Sequence, residues 1–133
     1  MRDIPTNAVK AVIRNKNDEI LFVRRHKKRD GVTNWDLPGG LVEPGEDKTV
    51  ALNREVSEEL GINADIGGHI GTWSFFRPLD GKTVEVENFN ATLSSDRLVL
   101  SDEHDEAKWF PEKDLSSLAL KDLSILDALS HSP

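Results

Sequence analysis

Three glutamates, Glu55, Glu58 and Glu59, fall within five consecutive residues. On a wheel of about 100° per residue, Glu58 lies about 60° to one side of Glu55 and Glu59 about 40° to the other. All three carboxylates project from one arc, with neighbours about 5–6 Å apart at Cβ. Like charges so placed destabilise a helix by about 0.2–0.5 kcal/mol per pair. A hard dication compensates such a cluster, because Mg²⁺ takes oxygen ligands in near-octahedral geometry and keeps several waters. A merely solvated glutamate face is the commoner outcome, so the context of the three must decide.

The elements that position them can be placed from patterning. A helix is expected over Asp47 to Leu60, with Gly45 before it, acids in its first turn and Gly61 at C′. Leu52, Val56 and Leu60 form its core-facing stripe. Ala8 to Ile13 and Ile20 to Val23 are expected strands joined by the turn Asn15-Lys16-Asn17-Asp18, as a hairpin. A cationic loop, Arg24 to Arg29, follows, and Pro38-Gly39-Gly40 is expected to be irregular. Two strands, about Ile70 to Arg77 and Val84 to Leu93, flank Asp80-Gly81 as a second hairpin. A last strand surrounds Trp109 and Phe110, and Leu118 to Leu129 is an expected amphipathic helix. Several strands and two helices without strict alternation point to an α+β layered fold.

Composition narrows the function. The chain has 133 residues, which favours one domain spanning 1–133. Its net charge of −7 disfavours nucleic-acid polymers and anionic membranes. With no cysteine, thiol nucleophiles, disulfides, Fe–S clusters and Cys-based zinc sites are excluded, which fits a cytoplasmic protein. No secretory h-region or membrane-length apolar run is visible. The four histidines show no metal-ligand spacing. Gly81-Lys82-Thr83 ends like a P-loop, but Phe76 stands where that motif needs glycine.

Gly40, five residues, Glu46, seven residues, Arg54-Glu55-Val56, one residue, Glu58-Glu59, one residue, Gly61-Ile62: this series resembles the complete Nudix box. Seven identities and two apolar classes agree over 23 residues. At average residue frequencies, chance agreement is on the order of 10⁻⁹ per start position. Trp35, Pro38-Gly39, Glu103 and Trp109-Phe110 also resemble the family.

The resemblance implies an α/β/α sandwich with a mixed central sheet, the box forming a loop–helix–loop. It implies a hydrolase acting on a nucleoside diphosphate linked to another group, with Mg²⁺ or, in its place, Mn²⁺. Glu58 and Glu59 would be the main carboxylate ligands. The Gly39 carbonyl would be another, with Glu55 a third or the base that activates water. Arg54 would pair with Glu46 and Glu55 and hold the loop, where its planar fork suits carboxylates. Gly40, Glu46 and Gly61 would serve the box structurally. Outside the box, Glu103 would supply a further catalytic carboxylate and Arg25 would meet substrate phosphate, which guanidinium binds bidentately.

Trp73, Phe75 and Phe76 are candidates for base stacking, although core packing is the more common fate of at least two of them. The expected substrate is a small nucleotide, foremost a nucleoside triphosphate cleaved in the manner of MutT-like enzymes. ADP-ribose or a nucleotide sugar is the alternative, and a non-catalytic nucleotide sensor stands as the alternative of another class. The sequence leaves monomer and homodimer equally open.

Overall fold

A segment as apolar as Ala8-Val9-Lys10-Ala11-Val12-Ile13 belongs in the middle of a sheet, and it is found there. The structure, a computed structural model, describes residues 6–25, 35–95, 98–99 and 104–117. Strand β1 (Thr6–Ile13) runs parallel to β6 (Lys82–Leu93) and antiparallel to β4 (Gly39–Leu41). The long β5 (Ala64–Arg77) pairs antiparallel with β6, giving a mixed sheet of order β4-β1-β6-β5. A second, antiparallel sheet has the order β3-β2-β7, from β2 (Glu19–Arg25), β3 (Trp35–Asp36) and β7 (His104–Pro111). A 3₁₀ turn at Glu112–Ser117 follows β7 and buries Leu115.

The expected first hairpin does not form. Its turn is real: the Asn15 side chain accepts from the Asn17 and Glu19 amides at 2.9 and 3.0 Å. Only one bridge, Arg14 to Ile20, joins the two strands before they part into different sheets. Both edges of β1 are already taken, by β4 and β6, so β2 has no edge on which to add. Gly39 and Gly40 also depart from expectation, because they form β4 rather than irregular backbone. The second hairpin stands, with β5 beginning at Ala64 and the turn closed by Gly81 at φ 68°.

Helix α1 (Lys48–Leu60) is capped at both ends. The Asp47 carboxylate accepts from the Thr49 and Val50 amides at 2.9 and 3.2 Å. Gly61, at φ 71°, returns its amide to the Ser57 carbonyl at 2.9 Å. No acid occupies the first turn, contrary to expectation, since Asp47 is the cap itself. Ala51, Leu52, Val56 and Leu60 are buried against Val9, Ala11 and Ile13 of β1 and Leu21 and Val23 of β2. On the opposite side Val12, Ile20, Phe22, Trp35, Leu37 and Ile70 gather with Leu115. Alternate residues of β1 and β2 thus feed two apolar clusters, and α1 is held by its buried stripe, with Glu55 and Glu59 part-buried beside it and Glu58 exposed.

The mixed sheet with α1 against it agrees with the expected α+β architecture. Trp73 and Phe75 pack on Ala8, Val84 and Val86, whereas Phe76 on the other face is 63% exposed. The expected helix over Leu118 to Leu129 lies outside the described residues.

Candidate active site

Arg54 binds the loop before α1 to the helix. Its Nε and Nη2 donate to the two oxygens of Glu46 at 2.9 and 3.0 Å, a bidentate fork. Nη1 donates to Glu55 at 3.0 Å, and Nη2 also reaches the Leu41 carbonyl at 3.3 Å. Glu46 in turn accepts from the Glu43 amide at 3.0 Å. The hydrogen bond from Arg54 holds the Glu46 carboxyl below its usual range. Burial pushes Glu55 the other way, raising it despite the Arg54 contact.

The adjacent glycines, Gly39 and Gly40, are glycine for different reasons. At Gly39 φ is 149°, and a Cβ would lie 2.0 Å from the Val9 carbonyl oxygen. At Gly40 a Cβ would lie 2.5 Å from the carboxyl carbon of Glu55. The first is a backbone requirement of β4 against β1. The second keeps open the space that the Glu55 carboxylate fills.

Glu59 is part-buried and reaches back to β4, where the Gly39 amide donates to its Oε2 at 2.9 Å. Its pKa is pushed up to about 8. Burial is the main cause, partly offset by Lys10 and the Gly39 amide, with Glu55 and Asp36 adding repulsion. Glu58 is 60% exposed, and its carboxylate lies 3.6 Å from Arg54. The structure therefore brings Gly39, Gly40, Glu46, Arg54, Glu55 and Glu59 together, with Glu58 at the rim.

Arg25 ends β2, paired in register with His104. Its side chain and Glu103 lie outside the described residues. The neighbouring Arg24 is engaged elsewhere, in an ion pair with Glu106 and with its guanidinium 4.6 Å from the Trp35 ring centroid.

Comparison with known proteins shows the family. The family model described as NUDIX domain matches residues 4–129. The CTP pyrophosphohydrolase of Escherichia coli (strain K12) is 34% identical over 127 residues, covering 90% of this chain and 88% of that protein. The chain belongs to the NUDIX family. It is a Nudix hydrolase acting on pyrophosphate bonds. The 8-oxo-dGTP diphosphatase of Escherichia coli (strain K12) is 41% identical over a shorter stretch of 51 residues, 38% of this chain and 40% of that one. Among solved structures, the MutT protein from Methanosarcina mazei Go1 superposes with a TM-score of 0.82 at 31% identity, covering 98% of this chain and 94% of that one.

Nudix proteins generally use divalent metals, and the donor set here fits such an ion. The donors are all oxygen, and the carboxylates of Glu55 and Glu59 are partly stripped of water with too little positive charge nearby. Among the described residues no three acidic or histidine side chains already converge as a finished cation cage. Glu55 is turned towards Arg54 and Glu59 towards Gly39.

Patterning missed Lys10. On β1 it pairs in register with Gly39. Its ammonium donates to Asp36 Oδ2 at 2.9 Å and to the Leu37 carbonyl at 3.3 Å. Among the described residues it is the cation whose charge partly offsets the burial of Glu59. The available signal was a lone lysine inside a run otherwise apolar on both faces. Among the described residues, no helix is long and apolar enough to cross a membrane.

Proposed function

We propose that this Nudix hydrolase is a Mg²⁺-dependent nucleoside triphosphate pyrophosphohydrolase, with Mn²⁺ able to replace Mg²⁺. The reaction consumes water and a nucleoside triphosphate and yields a nucleoside monophosphate and pyrophosphate. The observation that carries the reading is the pair of desolvated box carboxylates, Glu55 and Glu59, held against Gly40 and Gly39 with insufficient cation of their own. The choice of a triphosphate is supported by the relative called CTP pyrophosphohydrolase, which matches along nearly the whole of both chains.

Glu55, Glu58, Glu59 and the Gly39 carbonyl would hold the metal. When bound, the ion would neutralise phosphate oxygens and lower the pKa of a coordinated water. Arg54 fixes the loop through Glu46 and leaves Glu55 one free oxygen, either for the ion or to take a proton from the attacking water. Arg25 would meet substrate phosphate and Glu103 would add a carboxylate from outside the box. One domain spanning 1–133 would suffice, working in the cytoplasm on a small substrate, as monomer or homodimer.

A panel assay tests this. Nucleoside triphosphates, their oxidised forms, nucleotide sugars, ADP-ribose and dinucleoside polyphosphates are incubated with and without Mg²⁺, and products are weighed by mass spectrometry. Monophosphate plus pyrophosphate, only with metal, is the expected result. AMP plus a sugar phosphate would replace the triphosphate reading with the ADP-ribose or nucleotide-sugar one. Binding without any product would leave a nucleotide sensor.

A further inference from the structure

One row of residues crosses the mixed sheet from the metal-binding loop to its far edge. Gly39 on β4 pairs with Lys10 on β1, Lys10 with Asn88 on β6, and Asn88 with Gly71 on β5. At about 4.8 Å per strand, Asn88 lies about 10 Å from Gly39. That is the scale separating the phosphates of a nucleotide from its base.

Asn88 is 0% exposed and is the one buried polar residue among those described. Its Nδ2 donates to the Gly71 carbonyl at 3.2 Å. A carbonyl can only accept, so this bond fixes the amide's orientation and leaves Oδ1 as an acceptor. Oδ1 has no hydrogen-bond partner among the described residues. Two residues along β5 from Gly71, Trp73 faces the same side, opposite Val86, and its indole Nε1 is also buried without a partner. Diagonal neighbours on paired strands lie about 7–8 Å apart, within reach of long side chains. Gly71 adds no side chain above Asn88. A buried donor and a buried acceptor, both unmade, thus belong to diagonal neighbours on the face away from α1.

The geometry points to Asn88 and Trp73 as the specificity-determining pair for the non-phosphate end of the substrate, a nucleobase edge that offers an N–H to Asn88 Oδ1 and an acceptor to Trp73 Nε1–H. The inference rests on the nucleotide reading given above. Both atoms are sealed in the free protein, so the base enters by displacing the part-exposed Trp73 ring. That ring stands on β5, which among the described residues ends the sheet. Phe75, with ring centroid 5.8 Å from that of Trp73, supplies an apolar neighbour for the base plane. Unmade buried hydrogen bonds are costly, and a ligand that completes both gains what a base-free phosphate compound does not.

The test compares the fastest-hydrolysed nucleoside triphosphate with methyl triphosphate, which has the anhydride and no base. Trp73→Phe removes only the N–H and keeps an aromatic ring, and Asn88→Leu removes the acceptor. Each should lower kcat/KM for the nucleotide at least tenfold, mainly through KM, and leave methyl triphosphate within twofold. Equal loss on both probes would assign the pair a structural role, and no loss on either would make them hosts of buried water, so both results overturn the inference. If Asn88→Leu does not fold, Trp73→Phe carries the test. If the wild type hydrolyses nothing, the reading of the reaction fails separately. Binding of an unreactive α,β-methylene nucleoside triphosphate, at least tenfold weaker to Trp73→Phe, then still decides the inference, and equal binding overturns it.

Discussion

Glu46 and Glu59 are both glutamates of the box, and their surroundings treat them oppositely. Glu46 receives a guanidinium fork and a backbone amide, which hold its carboxyl below the usual range. Glu59 receives one amide and a more distant lysine, and burial pushes it up to about 8. One end of the box carries its own cation and is scaffold. The other is left electrostatically incomplete, which supports the proposed metal site.

The largest effect should appear in stability against pH. Without metal, Glu59 has a folded pKa above its unfolded one, so its contribution is full below about pH 4.5 and is lost as pH rises through about 8. Metal-free protein should therefore lose roughly 3–5 kcal/mol across that window by denaturant titration. Glu59→Gln should flatten the curve. An unchanged curve would mean that Glu59 is not strained in the folded state.

The two glycines sharpen the contrast next. Gly39→Ala drives a Cβ into the Val9 carbonyl and should cost about 3 kcal/mol or more of stability. Gly40→Ala meets only the flexible end of Glu55. It should stay within about 1 kcal/mol of wild type in stability, while turnover falls about tenfold as that carboxylate is displaced. Comparable unfolding of both variants would contradict the separate roles. On the solvated rim, Glu58→Gln should cut turnover about a hundredfold, about 2.7 kcal/mol, with melting unchanged. Wild-type turnover in saturating Mg²⁺ would remove Glu58 from the site.

The scaffold end should give the smallest change. Arg54→Lys keeps the charge and loses the fork, and should lower stability only slightly, as expected of a partly exposed pair. Carboxyl titration by NMR should then show Glu46 closer to its ordinary pKa. A Glu46 titration that does not move would take the fork out of the account.

Much of this was legible in the sequence because it is local. The Gly61 cap of α1, its buried stripe and the turn near Asp80-Gly81 follow from spacing along one or two elements, the Arg54 contacts with Glu46 and Glu55 are those the resemblance to the Nudix box implies, and Asp47, expected inside the helix, is its cap. What was not legible depends on pairing between distant segments. The turn at Asn15 to Asp18 has hairpin chemistry, yet β1 takes β6, its partners 78 residues further along the chain, on one edge and β4 on the other. The same pairing turns Gly39 and Gly40 into a strand and lays Lys10 beside them. No local pattern announces that a lysine of the first strand will stand near Glu59, because the register that puts it there is set by the whole sheet.

We propose that the Glu59 end of the box awaits a divalent cation. With a pKa of about 8, Glu59 is mostly protonated at pH 7 in the metal-free protein, and an ion can use only its carboxylate. Calorimetric titration of Mg²⁺ into metal-free protein at pH 7, repeated in buffers of different ionisation enthalpy, counts the protons released. Close to one proton per bound ion, absent in Glu59→Gln, is the predicted result. Binding with no proton release, or the same release from Glu59→Gln, would contradict it.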